Sequence, residues 1–117
     1  MIFRSRKERR LLPRISTEVQ CWLERDSITL FGSVTNLSPK GLFLRTPVTL
    51  PAGCDVNLNI VLKDGIVAAL GRVVWEKAPS AHSSQIGLGI SFDKITNGRS
   101  LLDQFITHQN KRPTTLF

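Results

Sequence analysis

The sequence has no tyrosine, one methionine and only two cysteines in 117 residues. Cys21 and Cys54 stand apart, with neither a C-x-x-C spacing nor histidines beside them, which excludes the usual zinc and dithiol patterns. They read as buried, reduced thiols. Histidine is equally scarce: His82 falls in a polar stretch and His108 in a helical one, and neither has a metal-ligand or triad partner at a recognisable spacing. Paired carboxylates, G-x-S-x-G and a phosphate-binding glycine loop are all missing, which argues against an enzyme. No apolar run approaches the roughly 20 residues needed to span a bilayer, and the opening "MIF" gives way at once to charge rather than to the apolar core of a secretion signal. The expectation is a cytoplasmic, non-catalytic protein without membrane insertion, metal or cofactor.

Acidic residues are also short, nine against sixteen lysines and arginines, for a net charge of +7. Such a balance points to an anionic partner. The excess is local. Arg4, Arg6, Lys7, Arg9, Arg10 and Arg14 face only Glu8 within the first fourteen residues, which leaves the rest of the chain nearly neutral. A hydrophobic fraction of 41% and a length of 117 residues suit one globular domain. The reading divides the chain into a flexible basic arm (1–14), a barrel with a C-terminal helix (15–112) and a tail (113–117), with no attached output domain.

From Thr17 onward, short segments alternate with a period near two. "EVQCWLE" sets Val19, Cys21 and Leu23 on one face and Gln20, Trp22 and Glu24 on the other, as a half-buried strand does. "RDS" (25–27) is a tight turn, "ITLFGSVTNL" a returning strand and "GLFLRT" (41–46) a third. "VNLNIVL" points Val56, Leu58, Ile60 and Leu62 one way. "KDG" (63–65) is a hairpin signal, followed by the long strand "IVAALGRVVWEK", a polar loop and a sixth strand, "QIGLGISF". Gly32 and Gly71 fall inside strands, where glycine marks a bend, a bulge or a close backbone approach. Two such positions in six strands suggest a small closed barrel. The period then changes: Leu101, Leu102, Phe105, Ile106 and Gln109 share a helical face, with Thr96 or Asn97 as the cap and Pro113 as the stop.

Two motifs carry chemistry. In "NLSPKG" (36–41), Asn36 and Ser38 point the same way on an extended backbone and offer an amide and a hydroxyl. Gly41 permits positive φ or close approach to a ligand. The same residues also make a good turn. In "ERRLLPR" (8–14), Leu11, Leu12 and Pro13 between Arg10 and Arg14 would let the segment dock on the barrel and fix the guanidinium groups. Arginine's planar fork suits phosphate and can stack on a base.

"RLLPR", then 21 residues, then "NLSPKG" resembles the paired R-x-x-x-R and N-x-S-x-x-G motifs of the PilZ domain family, and "GRVVW" and "GLGISF" are similar to later PilZ strands. The resemblance implies an all-β fold, a six-stranded antiparallel barrel with one packed C-terminal helix, and a receptor for cyclic di-GMP. It implies a ligand held between Arg10 and Arg14 on one side and Asn36, Ser38 and Gly41 on the other. Asn36 stands where many members have Asp. An arginine at the position of Arg9 goes with two intercalated ligand molecules, and Trp75 stands where an aromatic ring could flank a guanine, although plain barrel packing is the alternative. The implied role is an adaptor whose arm is ordered by the ligand and which signals to an unidentified downstream protein. The rival reading is a small basic barrel binding single-stranded nucleic acid, disfavoured by the near-neutral body and the few aromatic residues.

Overall fold

The alternation of "EVQCWLE" and "VNLNIVL" is realised in the strands they form. In the computed structural model, which describes residues 15–78 and 86–110, six strands precede one helix. They are β1 (Ile15–Arg25), β2 (Ile28–Ser38), β3 (Gly41–Arg45), β4 (Asp55–Leu62), β5 (Gly65–Lys77) and β6 (Gly87–Asn97), followed by α1 (Arg99–Asn110). Every neighbouring pair is antiparallel, and the order β1-β2-β3-β6-β5-β4 closes through β4 onto β1. Closure removes exposed sheet edges wherever the ladders run.

The inside of the barrel is filled by the residues that alternation assigns to it. Cys21 and Leu23 of β1 and Val56, Leu58, Ile60 and Leu62 of β4 are all buried, as are Val67, Ala69 and Val73 of β5. Asp26 takes up the left-handed backbone (φ 55°) at the β1–β2 turn, which aspartate tolerates better than most residues. Both interior glycines are close approaches: a Cβ on Gly32 would run into the carbonyl oxygen of Arg45, and one on Gly71 would lie 2.9 Å from the Ile90 side chain.

The sixth strand runs five residues past its expected end at Phe92. Lys94, Ile95 and Asn97 pair with Leu70, Ala69 and Ala68 of β5, but through two register shifts that break the two-residue period and hide the strand from a reading based on alternation. The helix cap consequently differs from expectation. Thr96 and Asn97 still belong to β6, and Gly98, at φ +86°, takes the cap position, accepting a hydrogen bond from the Leu102 N–H at 2.9 Å. Leu102 and Ile106 of α1 are fully buried and join the barrel core, with Leu101 and Phe105 packed against it. The helix lies beside the start of β5, where the Leu101 side chain meets Gly65. No described helix is long and apolar enough to cross a membrane.

Candidate functional site

The β2–β3 connection is built around one hydroxyl. Ser38 Oγ accepts a hydrogen bond from the Lys40 N–H at 3.2 Å and donates to the Gly41 carbonyl at 3.3 Å, closing the turn at Pro39–Lys40. The turn reading of "NLSPKG" is thus correct. It coexists with a second property, which depends on an irregularity just upstream. Along the β2–β3 ladder Val34 pairs with Leu44 and Asn36 with Phe43, so Thr35 is an extra residue in β2. With strict alternation Asn36 and Ser38 would share the inward face of Val34. The extra residue resets the phase: Val34 and Leu37 are both buried, while Asn36 and Ser38 line the outer surface.

That surface is a groove of about 620 Å³ running across β2, β3, β6 and β5. Asn36, Ser38, Gly41 and Trp75 all line it, although Trp75 lies far from the others in sequence. Trp75 does not pack inside the barrel; it is 49% exposed on the outer face. Among the described residues the Asn36 amide has no hydrogen-bond partner within the protein, so it is free to contact a ligand. Gly41 corrects one expectation. It does not adopt positive φ; instead, a Cβ there would collide with the Ile90 carbonyl of β6, so glycine is required by close strand approach. Arg9, Arg10 and Arg14 lie outside the described residues.

Sequence reasoning missed several groove residues. Lys40 and Lys77 supply two cations, and no aspartate or glutamate is among the described residues lining the groove. An arrangement with cations, an amide, hydroxyls and no carboxylate favours an anionic ligand. Phe43 was also missed. Its ring stacks on Trp75 with centroids 5.2 Å apart and planes inclined by 23°, giving the groove a two-ring aromatic floor. Lys77 was accessible as a residue two places along the same strand as Trp75, whereas Phe43 belongs to a strand whose adjacency is set only by the barrel order.

Cys21 matches the reading of a buried thiol, whereas Cys54 is only half-buried. Cys21 is buried, and desolvation pushes its thiol up to about 12, opposed in part by a hydrogen bond from the Asn59 backbone. Both cysteines are free thiols. Among the described residues no group of three histidine, cysteine or acidic side chains is placed to hold a metal ion.

The model of the family described as "PilZ domain" matches residues 5–108. No curated protein matches the chain in sequence. Solved structures share the fold at low identity. The inhibitor of motility MotI/DgrA from Bacillus subtilis superposes with a TM-score of 0.74 at 15% identity, over 87% of this chain and 52% of that one. This chain therefore spans about half the length of that protein. The PilZ domain of YcgR from Escherichia coli, solved with c-di-GMP, gives 0.62 at 16% identity over 88% and 92% of the two chains. The PilZ domain of CeSA from a cellulose-synthesizing bacterium gives 0.53 at 18% identity over 84% and 94%.

Proposed function

The chain belongs to the PilZ domain family, and from that premise we propose that it is a non-catalytic receptor for cyclic di-GMP. The observation that carries this reading is that Asn36, Ser38, Gly41 and Trp75, drawn from three strands, line one groove containing lysines and no described carboxylate. A cyclic dinucleotide has two phosphates and two purines, and the groove offers cations for the first and an aromatic floor for the second. The YcgR PilZ domain of the same fold was solved with c-di-GMP.

In this reading Arg10 and Arg14 close over the ligand from the N-terminal side, and Arg9 serves a second, intercalated ligand molecule. Residues 1–14 form the arm that the ligand orders, residues 15–112 the receptor body and 113–117 a tail. Ordering the arm costs conformational entropy, which the charge-assisted contacts at roughly 1.5–3 kcal/mol each must exceed. The ordered arm then alters the surface presented to a protein partner.

Calorimetric titration with cyclic di-GMP tests the assignment. The unmodified protein should bind with two ligands per chain, and Arg10→Ala or Arg14→Ala should each abolish or severely weaken binding while leaving the fold intact. Arg9→Leu should lower the count towards one. Arg4→Ala is the control and should change little. Parent-like curves from both Arg10→Ala and Arg14→Ala would refute the site, and clean saturation at one ligand per chain would refute the paired-ligand element alone.

A further inference from the structure

Phe43 and Trp75 stack although a whole strand separates them. Phe43 pairs with Gly89 on one side of β6 and Trp75 pairs with the same Gly89 on the other. Strands lie about 4.8 Å apart, so side chains standing straight up from β3 and β5 would be roughly 10 Å apart. The ring centroids are separated by only 5.2 Å. Both rings therefore lean over β6, and they can do so only because β6 carries no side chain beneath them. A Cβ on Gly89 would overlap the Trp75 indole, and a Cβ on Gly87 would overlap the end of the Phe43 ring. Gly87 and Gly89 are two residues apart and hence share a face of the strand.

We infer that Phe43, together with the bare strip Gly87–Gly89, is a positioning device that fixes the Trp75 indole as a flat platform for a purine base of the ligand. This rests on the receptor reading above. Phe43 covers one face of the indole. With Trp75 still 49% exposed on the groove, its remaining surface is available to a planar ring, which would extend the stack from two members to three. A tryptophan free to rotate would have to be ordered by each incoming base. One already held by Phe43 imposes little further entropy loss, so Phe43 raises affinity through the indole it holds. Phe43 is thus a positioning residue acting through Trp75.

The chain has two tryptophans, so Trp22→Phe makes Trp75 the sole emitter. In that background, cyclic di-GMP is titrated by calorimetry and by Trp75 fluorescence, with thermal melts on every variant. The parent should bind with a change in Trp75 emission. Phe43→Leu keeps an apolar side chain but removes the ring, and should weaken binding about tenfold, the scale of one aromatic pair. Phe43→Tyr restores the ring and should recover parent affinity. Gly89→Ala attacks the same geometry from beneath and should also weaken binding, with an altered Trp75 emission spectrum before any ligand is added. If Phe43→Leu does not fold, the Gly89→Ala and Phe43→Tyr pair carries the test. Parent-like affinity in Phe43→Leu or Gly89→Ala, or Trp75 emission that is unchanged when calorimetry shows saturation, overturns the inference and leaves the receptor reading standing. A parent that gives no heat and no emission change at any ligand concentration overturns the receptor reading, and the inference falls with it.

Discussion

Ser38 and Asn36 stand two residues apart on the same groove, yet the protein depends on them differently. The Ser38 hydroxyl is occupied by two contacts of its own turn. The Asn36 amide has no partner among the described residues. Ser38→Ala should therefore lower both stability and cyclic di-GMP affinity, each within the about 1–3 kcal/mol associated with leaving a polar partner unsatisfied. Asn36→Ala should lower affinity alone. Melting curves measured alongside titrations separate the two, and an Asn36→Ala protein that melts well below the parent would show the amide to be structural. The "NLSPKG" motif is a turn by its Ser38 contacts, and on the proposed function it is a binding element as well, with the labour divided between its side chains.

At the scale of elements, the groove is shaped by glycines that leave room on and beside β6. Gly41 faces the Ile90 carbonyl, Gly89 lies beneath Trp75 and Gly87 beneath Phe43. Gly41→Val should consequently destabilise the β3–β6 ladder by roughly 1–3 kcal/mol, as overpacking does, and lose binding only as a consequence of that displacement. A urea midpoint equal to the parent's would mean that the strands yield at no cost. The comparison with Asn36→Ala is instructive, since both changes sit in one motif and only one should move the midpoint. The extra residue Thr35 is the other elemental device. It turns Asn36 and Ser38, which strict alternation would send inward with Val34, onto the groove, and brings Leu37 into the core in their place.

For the molecule as a whole, charge separates the candidate partners. Most of the +7 belongs to the first fourteen residues, while the barrel and helix carry nearly balanced signs, several of them paired, as in Arg45 with Glu18 at 2.9 Å and Arg72 with Asp55 at 3.2 Å. These pairs are exposed and contribute little to stability. A ligand with two phosphates should lose less than about tenfold in affinity between 50 and 200 mM salt, because few counterions are released. A single-stranded polyanion spanning arm and groove should lose far more. Titrations of cyclic di-GMP and of an oligonucleotide at both salt concentrations discriminate the two. Steep salt dependence combined with tighter oligonucleotide binding would favour the nucleic-acid reading.

Alternation and turn chemistry are local properties, and they were legible in the sequence. The two-residue period of "VNLNIVL" assigns every inward residue of β4, and the change of period marks α1, because each of these depends on neighbours within a few positions. The motif of Asn36, Ser38 and Gly41 was legible for the same reason, as spacing and residue type, whereas Trp75 was singled out only by the resemblance to the family. What the chain alone could not express is phase and adjacency. Whether Asn36 faces core or solvent depends on one extra residue in a ladder, which changes the face without changing composition. The length of β6 was hidden by register shifts of the same kind. That Phe43 meets Trp75 depends on β6 lying between β3 and β5, and on two glycines leaving room above it. Those are relations between segments distant in sequence, fixed only when hydrogen bonding closes the barrel, and so the tertiary structure alone decided them.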